Sequence, residues 1–235
     1  MYDLIGDIHG HADELVQLLE ALGYRTHGTT YAHSDRKVIF LGDFIDRGPK
    51  IRQVLEIVRP MIEEGKALAV MGNHELNAIA FHSEDPKRSG IYLRQRSDKN
   101  IRQHCKTMSQ LSSKQLADAI KWFRTLPMWL DLEGLRVVHA CWDERAMSTI
   151  TRARQEHGGI TTPFLRSACK KGNVLFDAVE TVLKGKEAKL PNSDFFTDKY
   201  GDVHTEIRIR WYLSPDNHIT SATIIRTQTQ AFGIR

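Results

Sequence analysis

The sequence has no long apolar run. Hydrophobic residues make up 41% of its 235 positions, yet no run approaches the roughly 18 consecutive apolar residues that a membrane-spanning helix needs. No leader with a charged start and an apolar centre precedes the first predicted strand, which begins at Tyr2. We therefore expect a cytoplasmic protein that has no membrane partner.

Cysteine is also scarce. Cys105, Cys141 and Cys169 are far apart and odd in number, which matches neither a disulfide framework nor the spacing of a zinc site. We expect reduced thiols. Internal repeats, low-complexity tracts and linker-like stretches are absent as well, so we expect a single domain over residues 1–235.

Positive charge is concentrated in one segment. The formal net charge is only +4, and we expect no nucleic-acid polymer as a partner. The segment 82–113, called here the basic insertion, holds seven basic residues and three acidic ones. The basic residues are Lys87, Arg88, Arg94, Arg96, Lys99, Arg102 and Lys106. The insertion is either a solvated loop or an electrostatic guide for an anionic substrate.

Three short apolar runs predict buried strands, at Tyr2–Ile5, Lys37–Leu41 and Ala67–Met71. Each run leads into a turn that contains glycine, and a helix-like pattern follows each turn. Repeated units of strand, turn and helix predict a largely parallel sheet with right-handed crossovers, and therefore an α/β fold.

The remaining sequence gives further, weaker signals. The predicted elements are a helix around Leu116–Phe123, a hairpin of Met128–Leu132 and Leu135–His139, a helix between Asn173 and Gly185, and strands at Glu206–Leu213 and Thr220–Ile225. The hairpin turns at Glu133-Gly134, and its second strand ends on a histidine. Residues 214–235 are predicted to be a weakly defined tail.

Each of the first three strands runs into a polar stretch flanked by glycine. The stretches are Gly6-Asp7-Ile8-His9-Gly10, Gly42-Asp43-Phe44-Ile45-Asp46-Arg47-Gly48 and Gly72-Asn73-His74-Glu75. Turns at the carboxyl ends of strands are where open α/β sheets bind ligands. Any one stretch is typical of an ordinary turn or helix start, but all three in order after predicted strands favour a functional site.

The side chains of these stretches suit two metal ions. Asp7 and His9 are two residues apart in an extended segment and can reach one ion from the same side. The carboxylate of Asp43 could bridge that ion to a second one, for which Asn73 and His139 offer an oxygen and a nitrogen. This mixed set favours manganese, iron or zinc over calcium or magnesium. We expect two divalent ions, Mn2+ first, that polarise a phosphoryl group and lower the pKa of a water molecule.

Asp46, Arg47 and His74 remain after the metal ligands are assigned. A histidine that is held by a carboxylate can protonate a leaving alkoxide, so we expect His74 and Asp46 to be catalytic. Arg47 offers a planar set of donors to phosphate oxygens and is predicted to bind substrate. Arg210 is a second candidate for substrate binding. It would share a strand face with Arg208, although a solvent-facing basic pair is an equal alternative.

With these motifs complete, the chain resembles the phosphoprotein phosphatase branch of the calcineurin-like metallophosphoesterases, and more narrowly the bacterial phosphatases grouped with dinucleoside-tetraphosphate hydrolases. The resemblance covers Tyr2 to about Asp143 most strongly. It implies a four-layer α/β/β/α sandwich, a first ion on Asp7, His9 and Asp43, and a second ion on Asp43, Asn73 and His139. It also implies that His74 is the general acid, Asp46 its partner, Arg47 a phosphate clamp and Glu75 a brace for Arg47.

One departure from the family pattern concerns the second ion. The family has a further histidine ligand in a Gly-His context after a late strand, but no Gly-His pair follows His139. His157, His204 and His218 are the remaining candidates, and the contexts of the last two are typical of solvated histidines. We therefore expect a chain shortened at its C-terminus, with the second ion short of a ligand and the second sheet incomplete. An unpaired sheet edge would favour association.

Three functions compete. The first is a phosphatase-type phosphomonoesterase that acts on phosphorylated proteins or small phosphoesters. The second is hydrolysis of dinucleoside polyphosphates such as diadenosine tetraphosphate, with Tyr92 or Trp142 stacking on a base. The third is a truncated, catalytically impaired protein that binds metal and phosphate.

Overall fold

The computed structural model describes residues 1–28, 30–191, 194–197, 201 and 203–212. The chain divides into two compact units, Met1–Leu183 and Lys184–Arg235. The helices are α1 (Ala12–Ala21), α2 (Ile51–Glu63), α3 (Asn73–Phe81), α4 (Asp98–Gln110), α5 (Ser113–Phe123), α6 (Glu144–His157), α7 (Thr162–Ala168) and α8 (Val174–Lys184). The strands are β1 (Tyr2–Ile5), β2 (Arg25–His27), β3 (Thr30–Ala32), β4 (Lys37–Phe40), β5 (Ala67–Ala69), β6 (Trp129–Leu132), β7 (Leu135–Val138), β8 (Glu187–Lys189), β9 (Phe196–Thr197), β10 (Val203–His204) and β11 (Glu206–Arg208).

A parallel three-stranded sheet in the order β1-β4-β5 organises the first unit. Tyr2 pairs with Lys37 and Val38 with Ala67, so the carboxyl ends of the three strands meet at one edge. This arrangement confirms the predicted α/β class and the parallel pairing.

The central strand β4 packs on both of its faces. Successive side chains of a strand point to opposite sides. Val38 and Phe40 belong to the main core with the helices, whereas Ile39 packs with Val70 and Val137 in a second cluster. Val137 comes from the antiparallel hairpin β6-β7. The sheet is therefore covered by helices on one face and by a second sheet on the other, as expected for the inner layers of an α/β/β/α fold.

Apolar stripes explain the helices that flank the sheet. In α2 the buried positions are Ile51, Val54, Val58 and Met61, which recur every three or four residues and form one face. Burying each such side chain contributes about 1.5–3 kcal/mol. The prediction for the helix after Asn173 is confirmed, because the Asn173 side chain accepts a hydrogen bond from the Leu175 N–H at the start of α8.

Several elements differ from the predictions. The hairpin β2-β3 and helices α6 and α7 were not predicted, and the basic insertion contains helix α4. Strand β11 ends at Arg208, so Arg210 lies beyond it and does not share a strand face with Arg208. The predicted strand at Thr220–Ile225, the tail at 214–235 and His218 lie outside the described residues. The single domain over residues 1–235 stays a prediction.

Two expectations from composition concern thiols and membranes. Cys105, Cys141 and Cys169 take part in no disulfide bond, as the prediction of reduced thiols requires. Among the described residues, none of the helices combines the length and the apolar character that crossing a bilayer requires.

Candidate metal centre

The loops that follow β1 and β4 are joined by backbone hydrogen bonds. The Asp43 carbonyl accepts from the N–H groups of Ile8 and His9, at 3.1 and 2.8 Å, and the Gly48 N–H donates to the His9 carbonyl at 2.8 Å. These bonds fix the position of the first two motifs relative to each other.

The same loops hold unusual backbone conformations. Among the described residues, the non-glycine residues with positive φ are His9 (46°), Asp43 (56°), Asp46 (68°) and Arg47 (64°). Such left-handed conformations cost on the order of 1–3 kcal/mol each and persist only where the surroundings enforce them. All four residues are predicted site residues, so the strain is concentrated at the candidate site.

Glycine at positions 42 and 72 lets the loops after β4 and β5 approach closely. A Cβ atom on Gly72 would overlap the Asp43 Oδ1 atom, and one on Gly42 would overlap the Gly72 backbone nitrogen. Gly42 also has a φ of 90°. Both positions therefore require glycine if Asp43 is to lie against the third motif.

Asp43 lies at the centre of the site and is only 3% exposed. Its Oδ2 atom is 3.6 Å from His9 Nε2, 3.6 Å from His139 Nε2 and 3.9 Å from His74 Nε2. Three imidazole nitrogens from separate segments thus surround one carboxylate oxygen, which is the arrangement that a bridging ligand needs.

His9 presents a buried nitrogen without a partner. Its Nδ1–H donates to the Ile45 carbonyl at 2.8 Å, because a carbonyl can only accept. Its Nε2 atom is buried and makes no hydrogen bond. Burial lowers the pKa of His9, and the nearby His74 and Arg47 act in the same direction. A neutral His9 therefore directs a lone pair at Asp43, which fits a metal ligand.

His139 is oriented in the same way. Its Nδ1–H donates to the Leu41 carbonyl at 2.5 Å, and its Nε2 lies 3.2 Å from Asn73 Oδ1. The Nδ1–H bond to Leu41 thus turns Nε2 toward the amide oxygen, and a cation placed between these two atoms would bind both. The donor set of His139, Asn73 and Asp43 thus fits a divalent ion.

All five predicted metal ligands come together in the structure. Ligand atoms of Asp7, Asp43 and His139 lie within 4.8 Å of one another, and so do those of His9, Asp43 and His74. Asp7 Oδ2 is 3.8 Å from His9 Nε2, and the Asp7 side chain is 56% exposed. The assignment of each residue to one ion stays a prediction.

His74 is held by Asp46. Its Nδ1–H donates to Asp46 Oδ2 at 2.6 Å, and both side chains are buried. Burial acts to lower the pKa of His74, but the hydrogen bond to Asp46 and the charge of Asp43 raise it overall. Burial opposes ionisation of Asp46, yet hydrogen bonds from His104 and His74 lower its pKa. This pairing favours a protonated His74, which suits an acid better than a metal ligand.

Two residues that contact Asp46 were missed by the sequence analysis. His104 Nδ1–H and the Thr107 hydroxyl both donate to Asp46 Oδ1, at 2.8 and 2.6 Å. Both residues belong to α4 in the basic insertion. The only signal in the sequence is their spacing of three residues, which puts them on one helix face.

Glu75 has different partners from those that the family resemblance implied. Its carboxylate accepts hydrogen bonds from the backbone N–H groups of Asp43, Phe44 and Gly72, at 2.8, 2.9 and 2.9 Å. Burial and the charge of Asp43 raise the pKa of Glu75 to about 7, while the bonds from Asp43 and Phe44 act in the opposite direction. Glu75 therefore braces the loop after β4 rather than Arg47.

The other candidates lie as follows. Arg47 is exposed and makes no hydrogen bond or ion pair with another described residue, so its guanidinium is available to an anion. Arg210 and His204 belong to the unit 184–235, where the His204 ring stacks on Phe196. His157 is the last residue of α6.

Part of the basic insertion is structural. Arg94 donates to the side chains of Asn77 and Gln103, and Arg96 lies 3.3 Å above the ring centroid of Tyr92. These two basic side chains therefore hold the insertion together instead of being simply solvated.

Comparison with protein families gives one clear match. A family model described as calcineurin-like phosphoesterase matches residues 2–215, which is most of the chain. The match includes all three motifs, the basic insertion and the hairpin β6-β7.

Known proteins add narrower similarities. The chain is 46% identical over 74 residues to a bis(5'-nucleosyl)-tetraphosphatase (asymmetrical) PrpE of Bacillus velezensis, and 44% identical over 73 residues to the protein of that name from Oceanobacillus iheyensis. These alignments cover 31% of the chain and 30% and 29% of the relatives, so they span less than a third of either protein. A solved cold-active protein-tyrosine phosphatase from a Shewanella species is 17% identical with a TM-score of 0.53, covering 99% of this chain and 62% of the other. That likeness shows a shared fold.

Proposed function

The chain belongs to the calcineurin-like phosphoesterase family, and from that premise we propose that this hydrolase uses two divalent metal ions to cleave bis(5'-nucleosyl) tetraphosphates. The names of the relatives support this substrate class. They favour it over the phosphoprotein substrates that the motifs alone put first.

The observation that carries the proposal is the environment of Asp43. One buried carboxylate oxygen lies 3.6 Å from the Nε2 atoms of both His9 and His139. The hydrogen bonds of both rings to carbonyl groups turn these nitrogens toward Asp43 as lone-pair donors. A protein without a metal site would gain nothing from burying His9 Nε2 without a partner.

We assign two sets of ligands. Asp7, His9 and Asp43 would hold one ion, and Asp43, Asn73 and His139 would hold the other. Manganese is the first choice and iron or zinc the alternatives, because the donors are oxygen and imidazole nitrogen. When bound, the ions supply Lewis acidity, which lowers the pKa of a water molecule and offsets the charge of the phosphoryl oxygens.

The residues around the ions complete the chemistry. Arg47 binds the phosphoryl oxygens through its guanidinium and orients the group. A water oxygen forms a new bond to phosphorus and releases a proton to solvent, and the bond to the leaving oxygen breaks with its electron pair. The Nε2–H of His74 then gives its proton to that oxygen, while Asp46 keeps the ring in position.

A second candidate substrate class is phosphomonoesters, and the pair His74 and Asp46 favours it. A nucleotide leaving group is already a stable phosphate anion, whereas an alkoxide needs a proton. A histidine that is bound to a carboxylate at 2.6 Å is well suited to supply one.

The test is a comparison of substrates. The purified chain would be assayed with diadenosine tetraphosphate, a phosphopeptide and para-nitrophenyl phosphate, with manganese and with EDTA. We expect manganese-dependent cleavage of the dinucleotide to ATP and AMP, at a kcat/KM more than tenfold above the other substrates, or about 1.4 kcal/mol in transition-state binding. Preference for the phosphopeptide would support the second class. Metal binding without turnover of any substrate would support the third function, a catalytically impaired protein that binds metal and phosphate.

A further inference from the structure

Helix α4 has an unusual buried face. The buried residues of this helix are His104 and Thr107, and both are polar. A surface helix normally buries an apolar stripe, but here the two buried side chains bind the same carboxylate. Burying a polar group lowers the stability of the protein unless the group is hydrogen bonded. The packing of α4 therefore depends on the hydrogen bonds of His104 and Thr107 to Asp46.

Asp46 receives hydrogen bonds from two directions. His74 Nδ1–H donates to Oδ2, whereas His104 Nδ1–H and the Thr107 hydroxyl donate to Oδ1. Thr107 Oγ1 also accepts from the Asp46 backbone N–H at 3.0 Å. Thr107 thus holds both the backbone and the side chain of Asp46, whose φ is 68°.

We propose that His104 and Thr107 are positioning residues of the hydrolytic site, which orient the Asp46 carboxylate so that its Oδ2 atom supports proton donation by His74. This inference rests on the proposed function, because it assigns α4 of the basic insertion to the same reaction. The insertion is then part of the catalytic apparatus, in addition to any effect of its charge on substrates.

His82 extends the arrangement away from the site. Its Nε2 lies 3.1 Å from His104 Nε2, and the two rings are in contact. Burial, His104 and Arg96 lower the pKa of His82 to about 4, so His82 is neutral near pH 7. A neutral His82 can donate its Nε2–H to His104, which leaves the Nδ1–H of His104 directed at Asp46.

A third residue of α4 fixes the rest of the loop. Gln110 donates to the Gly48 carbonyl at 2.9 Å and accepts from the Ile51 N–H at 2.7 Å. Gln110 is three residues beyond Thr107 and lies on the same face. The polar face of α4 therefore contacts the loop from Asp46 to Ile51, which also carries Arg47.

The kinetic test compares two substrates whose leaving groups differ in their need for a proton. A positioning role lowers kcat mainly on the substrate that needs the proton, whereas a purely structural role lowers kcat on both. Phenyl phosphate has a basic leaving group that needs an acid, whereas para-nitrophenyl phosphate has one that needs little help. We expect Thr107→Val and His104→Leu to lower kcat on phenyl phosphate about tenfold more than on para-nitrophenyl phosphate, with KM unchanged. Thr107→Ser and His104→Asn, which keep a donor, should restore most of this activity. The control is Ser109→Ala, which removes an exposed hydroxyl from the same helix.

Equal losses on both substrates, or no loss, would overturn the proposal. A second measurement does not depend on activity, namely the proton resonance of His74 Nδ1–H in the metal-free chain, assigned by its disappearance in His74→Asn. We expect this resonance to move upfield in Thr107→Val and to stay in place in Ser109→Ala. An unchanged resonance in Thr107→Val would refute the inference, whatever the activity of the chain. Failure of the wild-type chain to cleave diadenosine tetraphosphate would instead refute the proposed function alone.

Discussion

Asp43 Oδ2 and His139 Nε2 lie 3.6 Å apart, although 96 residues of sequence separate them. Asp43 follows β4 of the parallel sheet, and His139 follows β7 of the hairpin that covers that sheet. The packing of Ile39, Val70 and Val137 joins these two sheets. The candidate metal centre therefore depends on the contact between the sheets as much as on the loops.

The first prediction concerns the bridging carboxylate. If Asp43 bridges two ions as proposed, Asp43→Asn replaces their shared charged ligand with a neutral one, so we expect the purified variant to lose both ions. Metal content after dialysis, measured by mass spectrometry, should fall from about two per chain to less than one. Asp118→Asn, which changes an exposed carboxylate of α5, should leave the content unchanged. Retention of two tight ions in Asp43→Asn would contradict the bridging role.

The second prediction is that manganese binds in two steps. The ligand set with Asp7 has two carboxylates, whereas the set with Asn73 has a neutral amide in place of one, so the second ion should bind more weakly. Titration calorimetry of the wild-type chain should resolve two affinities. His139→Ala should remove the weaker step and His9→Ala the tighter one. Loss of the tight step in His139→Ala would show that the two sets are divided differently.

The third prediction tests whether His74 is an acid or a ligand. His74→Asn should lower kcat on phenyl phosphate by about 10²–10⁴-fold, because the leaving oxygen is no longer protonated. The loss on para-nitrophenyl phosphate should be smaller, and the metal content should not change. A variant that loses a metal ion would instead support the group His9, Asp43 and His74 as a ligand set.

The fourth prediction is the pH dependence of the acid. The hydrogen bond to Asp46 raises the pKa of His74 against the effect of burial, which lowers it. Hydrolysis of phenyl phosphate should therefore fall as the pH rises through this raised pKa and the acid loses its proton. Asp46→Asn removes the negative partner, so the falling limb of the kcat profile should move to lower pH. An unmoved limb would mean that another group controls it. The matched control is Asp131→Asn, which changes an exposed carboxylate of β6.

The fifth prediction concerns stability. Glu75→Gln keeps the size of the side chain but turns an amide NH2 toward backbone N–H groups that now donate to a carboxylate. Urea unfolding of the metal-free chain should show a loss of about 1–3 kcal/mol, because a buried donor is left unpaired. Glu133→Gln, in the exposed turn of the hairpin, should change stability little. A loss of similar size in both variants would argue against the special role of Glu75.

The sequence was most informative where short loops carry the chemistry. The glycine-flanked motifs keep Asp7, Asp43 and Asn73 at the carboxyl ends of adjacent strands, and an apolar run before each motif marks the strand. The parallel sheet and the convergence of the ligands could therefore be predicted from local patterns alone.

Contacts between distant segments could not be predicted in this way. His104 lies 58 residues from Asp46 along the chain, and α4 has no apolar stripe because its buried residues are polar. The family resemblance implied Arg47 as the partner of Glu75, whereas the observed hydrogen bonds to backbone N–H groups leave no trace in residue types. The alternation around Arg210 suggested a strand that in fact ends at Arg208.

The four left-handed residues have a consequence for how this protein can be changed. Glycine at position 47 would relieve backbone strain without removing a buried contact, yet it would remove the guanidinium that we propose binds substrate. At position 47, selection for thermal stability therefore favours glycine, whereas selection for turnover favours arginine. Directed evolution that screened only for heat resistance would therefore select substitutions in the loop after β4 first. The resulting variants would be more stable to heat but would have lost hydrolytic activity.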